Sequence, residues 1–155
     1  MDRETASRDD DHQALRLWLR LLTCTQLIER EVRARLRERF DTTLPRFDLM
    51  SQLWRYAAGL KMNELSAHLM VTGGNVTGIV DLLEKDGLAE RAAEPADRRA
   101  YRVRLTKSGR KLFSDMAGAH EEWIVELLGG LTRKEQAETY RLLARMKQVT
   151  MEAGS

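Results

Sequence analysis

The sequence has only one cysteine, Cys24, among its 155 residues. A single thiol cannot form a disulfide within the chain, and such a chain suits a reducing compartment. No run of about 18 apolar residues is present, so we expect no membrane-spanning helix. The first residues, MDRETASRDDDHQ, lack the basic and then apolar order of a secretory signal. We therefore expect a cytoplasmic protein.

Residues that carry catalysis or bind metals are also scarce. The three histidines, His12, His68 and His120, lie far apart, and none joins a Cys, Asp or Glu at metal-ligand spacing. No G-x-S-x-G or other nucleophile motif is present. We therefore expect no enzyme, no metal and no cofactor. The net charge of +2 is also too small for a protein that packages DNA.

The stretch VTGGNVTGIV, residues 71–80, allows three interpretations. Gly73 and Gly78 have the spacing of a phosphate-binding loop, but Ile79 follows where that motif needs Lys. Asn75 begins an N-x-T sequon, but glycosylation requires a secreted chain. The third interpretation, a helix start that contacts another molecule closely, is the one we favour.

Charge is distributed unevenly along the chain. Residues 88–111 hold eight basic and three acidic residues, a local net charge of +5, whereas residues 1–14 carry −3. A basic patch suits a polyanionic partner. On charge alone, a solvated charged surface explains it equally well.

The apolar periodicity predicts four helices, a β-hairpin and two more helices. The first three helices are predicted over about 12–39, over 45–59 with Pro45 in the first turn, and over 62–69. The fourth runs from the N-cap Thr72 to Asp86 and Gly87, and extended segments follow on either side of 95–99. The fifth helix runs from the cap Thr106 to about Leu128, and the last follows the capping box of Thr132 and Glu135. The fold class is therefore mainly α with a small β-hairpin.

The first helix is apolar on more than one side. Leu15, Trp18 and Leu19 follow helical spacing, and Leu17 and Leu27 add apolar surface elsewhere. Such a helix must bury more than one face, so we expect a partner subunit to cover the second face.

A short helix, a tight turn and a second helix form a helix-turn-helix, whose second helix directs its N-terminal residues at DNA bases. Residues 76, 79, 80 and 83 are expected to face the core. The opposite face then presents Asn75, able to pair with adenine, and Thr77, able to contact a base or a thymine methyl group. The glycines at 73, 74 and 78 would let the backbone approach DNA closely. Three glycines in six helical positions each lower helix stability by about 1 kcal/mol relative to alanine, which argues against a purely structural role.

The hairpin tip supplies a second candidate contact. Asp97 is expected to brace Arg98 or Arg99 and direct a guanidinium into a narrow minor groove. Arg102 and Arg104 lie on one strand face, from which they could reach phosphates.

The segment DRRAYRVRLT resembles the wing signature D-x-R-x5-L-T of the MarR family of winged helix-turn-helix regulators, through Asp97, Arg99, Leu105 and Thr106. Residues 71–91 resemble the family's recognition helix and wing start. The resemblance implies a homodimer with N- and C-terminal dimerisation helices, a pseudo-palindromic double-stranded DNA operator, repression, and release by a small ligand. The recognition-helix contacts that it implies are Thr72, Gly74, Asn75, Thr77 and Gly78. The helix lacks the outward Arg that many members have near its start, so base readout would depend on Asn75, Thr77 and DNA shape.

The family's effectors are often aromatic acids or their CoA thioesters, which implies a pocket between the dimer helices and the DNA-binding lobe. Trp18, Phe47, Met50 and Trp54 are candidates to line it, although for each one an ordinary core position is the more common role. Arg33 belongs to the arginine-rich segment EREVRARLRERF, which could grip a phosphorylated effector but is more typical of a solvated helix face.

An alternative function is a redox-sensing regulator that uses Cys24. Its neighbours are apolar and no resolving cysteine exists, so we expect a small core residue instead.

The expected domain organisation has four parts: a disordered N-terminus over 1–11, a dimerisation helix over 12–44, a winged helix-turn-helix lobe over 45–110, and C-terminal dimerisation helices over 111–155.

Overall fold

The computed structural model describes the backbone of residues 3–69 and 75–155, and the side chains of residues 12–69 and 75–155 except Arg98. Its elements are α1 (Arg3–Phe40), α2 (Leu44–Arg55), α3 (Met62–His68), α4 (Val76–Lys85), β1 (Ala89–Glu94), β2 (Asp97–Leu105), α5 (Lys107–Leu127) and α6 (Arg133–Ala153). The predicted order of four helices, a hairpin and two helices is confirmed.

Helix α1 begins nearer the N-terminus than the sequence predicted. Residues 3–11 are helical, so the expectation of a disordered segment over 1–11 is wrong for these residues. The physical reason is that no Pro or Gly occurs before Pro45, so nothing in this segment interrupts a helix. Glu4 also suits the first turn, where the helix dipole favours negative charge.

Helix α2 ends at Arg55, earlier than the predicted end near Gly59. Thr43 caps its start by accepting a hydrogen bond from the Arg46 N–H, and Pro45 lies in the first turn as predicted. After α2 the chain turns through Gly59, whose φ of +97° is a conformation that glycine adopts readily. Leu60 then exchanges two backbone hydrogen bonds with Val103 of β2, at 2.9 and 2.8 Å. The helix ends early because these residues turn to pair with the hairpin.

The core is shared by most of the elements. Its largest fully buried side chains are Leu36 of α1, Leu49, Met50 and Leu53 of α2, Leu65 of α3, Val80 of α4, Val103 of β2 and Met116 of α5. Each buried aliphatic side chain contributes about 1.5–3 kcal/mol to folding. These contacts hold the helices and the hairpin as one packed lobe.

The hairpin is a two-stranded antiparallel sheet with a two-residue turn at Pro95 and Ala96. Ala89 pairs with Leu105 at its base, and Ala93 pairs with Tyr101 near its tip. The next pair is Glu94 with Asp97, so residues 98–100 have no partner on β1. This irregularity makes the tip a short loop on the β2 side.

The chain packs as two compact units, one up to His120 and one from Glu121 to Ser155. In the second unit, Thr132 and Glu135 form the predicted capping box of α6. No residue of α6 is buried, and Leu142 and Val149 are each 49% exposed. The four-part domain organisation stays a prediction.

Candidate nucleic-acid interface

Helix α4 presents a small, polar first turn opposite a buried apolar face. Ile79, Val80 and Leu83 are buried, as the periodicity predicted, whereas Asn75 and Thr77 are exposed. Asn75 Oδ1 accepts a hydrogen bond from the Gly78 N–H at 3.3 Å, which caps the helix. The buried face fixes the rotation of the helix about its axis, so these first-turn residues must face outward.

The cap differs from the prediction. The sequence predicted Thr72 as N-cap, but α4 begins at Val76 and its N-cap is Asn75. Asparagine ranks with the best N-cap residues, above threonine, because its side-chain oxygen reaches the N–H groups of the first turn well. The cap engages the oxygen that a bidentate contact with adenine would also use, whereas the Nδ2 amide protons of Asn75 stay outside that bond.

Two predicted contacts, Thr72 and Gly74, lie outside the described residues, as does Gly73. Of the three glycines, only Gly78 lies within α4 as the structure describes it, so only Gly78 carries the cost of a glycine inside a helix. A Cβ at Gly78 would lie 3.3 Å from Asn75 Nδ2. The glycine therefore leaves room for the capping side chain to fold over the first turn.

At the wing tip, Asp97 braces Arg99 through the backbone. Asp97 Oδ1 accepts a hydrogen bond from the Arg99 N–H at 3.0 Å, so the expected bond to a guanidinium is wrong for Arg99. The physical reason is that the Asp side chain is short. In a tight turn it bonds the backbone N–H of the residue two positions later in the chain. Arg99 is exposed and makes no ion pair with any residue that the structure describes. The side chain of Arg98 lies outside the description.

Arg102, whose side chain is 34% exposed, bonds two groups of the protein itself. Its Nε donates to Glu94 Oε2 at 2.5 Å and one terminal nitrogen donates to the Gly59 carbonyl at 3.2 Å. The predicted DNA contact at Arg102 stays a prediction, and a phosphate would have to compete with these two bonds for the guanidinium. The bridge between Leu60 and Val103 brings the Gly59 turn beside this strand.

Two other wing arginines are also paired. Arg104 bonds Glu90, its cross-strand partner, at 2.7 Å. Arg91 bonds Asp81 and Glu84 of α4, and the Asp81 bond raises the pKa of Arg91 above its ordinary value. Asp81 and Glu84 lie outside residues 88–111, and including them lowers the local charge from +5 to +3; Arg99 is the described wing arginine left open. The Glu90 pairing depends on the irregularity at residues 98–100, because a regular register beyond the two-residue turn would place Glu90 opposite Tyr101. No sequence signal identified the bonds to α4.

The predicted ligand residues fall into separate places. Phe47 and Met50 are buried, and Trp54 is 38% exposed. The Phe47 ring lies 5.5 Å from Phe113, which lies 5.3 Å from Trp54. The structure thus brings Phe47 and Trp54 into one aromatic row between α2 and α5.

Two more residues extend this row, and sequence reasoning missed both of them. The guanidinium of Arg110 lies 4.6 Å from the centre of the Trp54 ring. The His120 ring lies 4.9 Å from Phe47, and burial lowers the pKa of His120. The row therefore has a cation at one end and a titratable ring at the other.

The remaining two ligand candidates lie on exposed parts of α1. Trp18 is 53% exposed. Arg33 forms an ion pair with Glu29 at 4.0 Å on the helix surface, and Arg35 pairs with Glu31 in the same way. These pairs agree with a solvated, charge-balanced helix face.

Cys24 is exposed, so the expectation of a small core residue is wrong for the single chain. Of its apolar neighbours on α1, Leu27 is 48% exposed, whereas Leu21, Leu22 and Ile28 are partly buried. Among the described residues, no group of three or more His, Cys, Asp or Glu side chains could hold a metal ion. Within the described ranges, no helix combines the length and the apolar character that a membrane span requires.

A capped helix with an exposed first turn, preceded by the short α3 and followed by a hairpin, defines a winged helix-turn-helix protein. The model of the MarR family matches residues 40–100. The chain is similar to a MarR family transcriptional regulator from Silicibacter pomeroyi, with a TM-score of 0.80 and 30% identity, over 92% of this chain and 98% of that chain. The protein belongs to the MarR family of transcriptional regulators, a family of regulators and not of enzymes.

Two further relatives bear on function. A mutant of MarR from E. coli, solved in complex with operator DNA, has a TM-score of 0.70 and 27% identity over 86% of this chain and 95% of that chain. The transcriptional activatory protein BadR from Rhodopseudomonas palustris is 28% identical over 136 residues, which are 86% of this chain and 77% of BadR. The chain spans only about half the length of other curated regulators that it matches, between 46% and 58%.

Proposed function

We propose that the protein binds a double-stranded, pseudo-palindromic DNA operator as a homodimer and represses transcription until a small effector releases it. The observation that carries the proposal is the pair of outward elements in one lobe. One is the polar first turn of α4, and the other is the wing tip with Arg99. All other described wing arginines are engaged by carboxylates of the protein itself.

The first turn of α4 fits a major groove. An α-helix enters that groove with its N-terminal residues nearest the bases. Thr77 can touch a base edge or a thymine methyl group, and the Asn75 amide can donate to a base while its oxygen caps the helix. Gly78 has no side chain that would hold the first turn away from the DNA. In our proposal Thr72 and Gly74, which precede this turn in the chain, are further contacts.

The wing tip fits the neighbouring minor groove. A-tract minor grooves are narrow and electronegative, and they attract an arginine inserted from a thin support. Asp97 holds the backbone of Arg99 at 3.0 Å, which restricts the loop that carries the guanidinium. In our proposal Arg98 is the second cation of this tip.

Exposed apolar surface supports the homodimer. In α1, Leu15, Trp18 and Leu19 are each at least 50% exposed, and in α6 Leu142, Leu143 and Val149 are exposed. A single chain leaves this surface in water, whereas a second copy would bury it. A two-fold dimer would also place two α4 helices on the two halves of a pseudo-palindrome.

For the effector, we propose an aromatic acid or its CoA thioester near Trp54. Trp54 is partly exposed in a row of rings, and the guanidinium of Arg110 over its ring could form an ion pair with a carboxylate or phosphate of the effector. Phe47 belongs to the same row of rings, and the buried Met50 and the exposed Trp18 and Arg33 are the further ligand contacts of this proposal. The exposed thiol of Cys24 supports the alternative in which oxidation, and not a ligand, releases DNA.

The sign of regulation follows from a reporter assay. We expect repression, although the similar protein BadR is named as activatory. A reporter under the selected operator should be silent with the protein and active after addition of the effector. Higher expression with the protein present would make it an activator.

Selection of bound duplexes from a random DNA pool tests the proposal directly. We expect enrichment of a site with two related half-sites about one helical turn apart. The control is the same selection with the DNA offered as single strands. A pool that stays random in the duplex arm would contradict the proposed function.

The effector is tested on the complex of the protein with the selected duplex. We expect an aromatic acid or its CoA thioester to release the DNA and to raise the melting temperature of the free protein. Peroxide treatment of the wild type and of Cys24→Ser tests the alternative. Release by peroxide that Cys24→Ser abolishes would favour the redox function over the ligand.

A further inference from the structure

We propose that Arg91 is a positioning residue that fixes the wing against the recognition helix α4. DNA affinity would then depend on a group of residues that does not itself contact DNA. The group, called the Arg91 cluster below, consists of Arg91, Asp81, Glu84 and Tyr101. This inference rests on the proposed DNA-binding function.

The cluster joins two elements through one guanidinium. One terminal nitrogen of Arg91 lies 2.6 Å from Asp81 Oδ1, and the other lies 3.0 Å from Glu84 Oε1. Asp81 and Glu84 are three residues apart, so their side chains lie on the same face of α4. The guanidinium also lies 5.3 Å from the centre of the Tyr101 ring on β2. A planar fork held at both nitrogens defines a direction as well as a distance.

Strand β1 has few other means of holding this position. Its sequence is AERAAE, so its apolar side chains are three alanines, of which Ala89 at the base is buried. Arg91 bonds two carboxylates of α4, and its side chain is only 24% exposed, compared with 46% for the cross-strand paired Arg104. The angle between β1 and α4 is therefore set largely by the Arg91 cluster.

The same geometry argues against a phosphate contact at Arg91. Two carboxylates already occupy both of its terminal nitrogens, so a phosphate would have to displace them. Together the three charges of the cluster sum to −1, which repels a polyanion. If the cluster strengthens DNA binding despite this charge, it must do so by fixing the wing relative to α4. The first turn of α4 and the wing tip have to enter two grooves of one duplex at the same time.

Because the cluster has a net negative charge, a charge effect and a positioning effect change DNA affinity in opposite directions. Asp81→Asn removes a negative charge near the interface. If only charge mattered, this substitution would tighten DNA binding. If the cluster positions the wing, it weakens binding, and we expect a loss of about fivefold, within the range of measured pair couplings.

Glu90→Gln is the matched control. It also converts a carboxylate to an amide beside a wing arginine, but its bond to Arg104 lies within the hairpin and does not reach α4. We expect Glu90→Gln to bind DNA as tightly as the wild type or more tightly. Fluorescence anisotropy with the selected duplex at fixed salt measures all variants, and thermal unfolding confirms that each is folded. If Asp81→Asn does not fold, Glu84→Gln, which leaves the shorter bond intact, takes its place.

Salt dependence gives a second readout. A lost phosphate contact reduces the slope of log K against log salt by about 0.9, whereas lost positioning leaves it unchanged. We expect Asp81→Asn and Arg91→Gln to keep the wild-type slope, and the double variant to be no weaker than Arg91→Gln alone. Arg99→Ala serves as the reference for DNA contact.

The possible results separate the two proposals. Weaker binding by both Arg99→Ala and Asp81→Asn supports both. Weaker binding by Arg99→Ala with unchanged or tighter binding by Asp81→Asn overturns the positioning role alone. No binding of duplex DNA by the wild type overturns both.

Discussion

The start of α5 lies so close to the backbone of Leu88, the residue before β1, that only glycine fits at position 109. A Cβ placed at Gly109 would lie 1.9 Å from the carbonyl oxygen of Leu88 and 2.9 Å from its carbonyl carbon. These atoms belong to backbone, so no side chain can rotate away. Gly109→Ala must therefore move the two segments apart by about 1 Å or more. The Leu88 carbonyl also accepts the Thr106 N–H at 3.0 Å, and this hydrogen bond would be strained by the same shift.

The expected magnitude combines three effects. Alanine favours a helix over glycine by about 1 kcal/mol. Forced overpacking costs about 1–3 kcal/mol, and a lost hydrogen bond costs about 1 kcal/mol. We expect Gly109→Ala to lower the free energy of unfolding by about 2 kcal/mol. Gly118→Ala, in the same helix, has nothing within 4 Å of the new Cβ and should raise it by about 1 kcal/mol.

Urea unfolding, followed by helical circular dichroism at one protein concentration, measures the difference between the two variants. A fixed concentration matters because dimer formation adds to apparent stability. Equal gains in stability from both substitutions would refute the close approach of α5 and Leu88.

Two further substitutions test the helix cap and the pH dependence. Asn75→Ser keeps a capping oxygen but removes the amide, so we expect a changed base preference in a repeat of the DNA selection with little loss of stability; an unchanged preference would mean that Asn75 only caps α4. Burial lowers the pKa of His120, so on acidification the unfolded chain binds a proton at this residue before the folded chain does. The free energy of unfolding should therefore be constant with respect to His120 above pH about 6.5 and fall as the pH drops below it. His120→Gln should flatten this dependence between pH 8 and about 5.5 in thermal unfolding, and an identical pH profile would rule out His120 as its source.

Local chemistry explains why much of the fold was predictable. The apolar period placed Ile79, Val80 and Leu83 on the buried face of α4, and alternation placed Val103 and Leu105 on the buried face of β2. Gly87, with a φ of +73°, ends α4 as expected, since its N–H and that of Leu88 bond back to Glu84 and Leu83. Each of these signals involves residues within one or two turns of each other.

The candidate site was less predictable because its contacts join distant residues. Arg102 was expected to reach phosphate, but its partner, the Gly59 carbonyl, is 43 positions away along the chain. Arg91 bonds Glu84 and Asp81, seven and ten positions away, but these bonds join a strand to a helix, and the periodicity within either element does not predict them. The cap of α4 was misplaced because Thr72 and Asn75 are both good caps separated by only three positions, and local propensity does not choose firmly between them.

The most direct test of the account compares Arg99→Ala with Arg104→Ala for binding to the selected duplex, by anisotropy over a range of salt concentrations. Both substitutions remove one exposed arginine from β2, but Arg104 is already bonded to Glu90, whereas Arg99 is open at the wing tip. We expect Arg99→Ala to weaken binding more than tenfold and to reduce the salt dependence, and Arg104→Ala to change both much less. Equal losses for the two variants, or no loss for Arg99→Ala, would contradict the proposed reading of DNA by the wing tip.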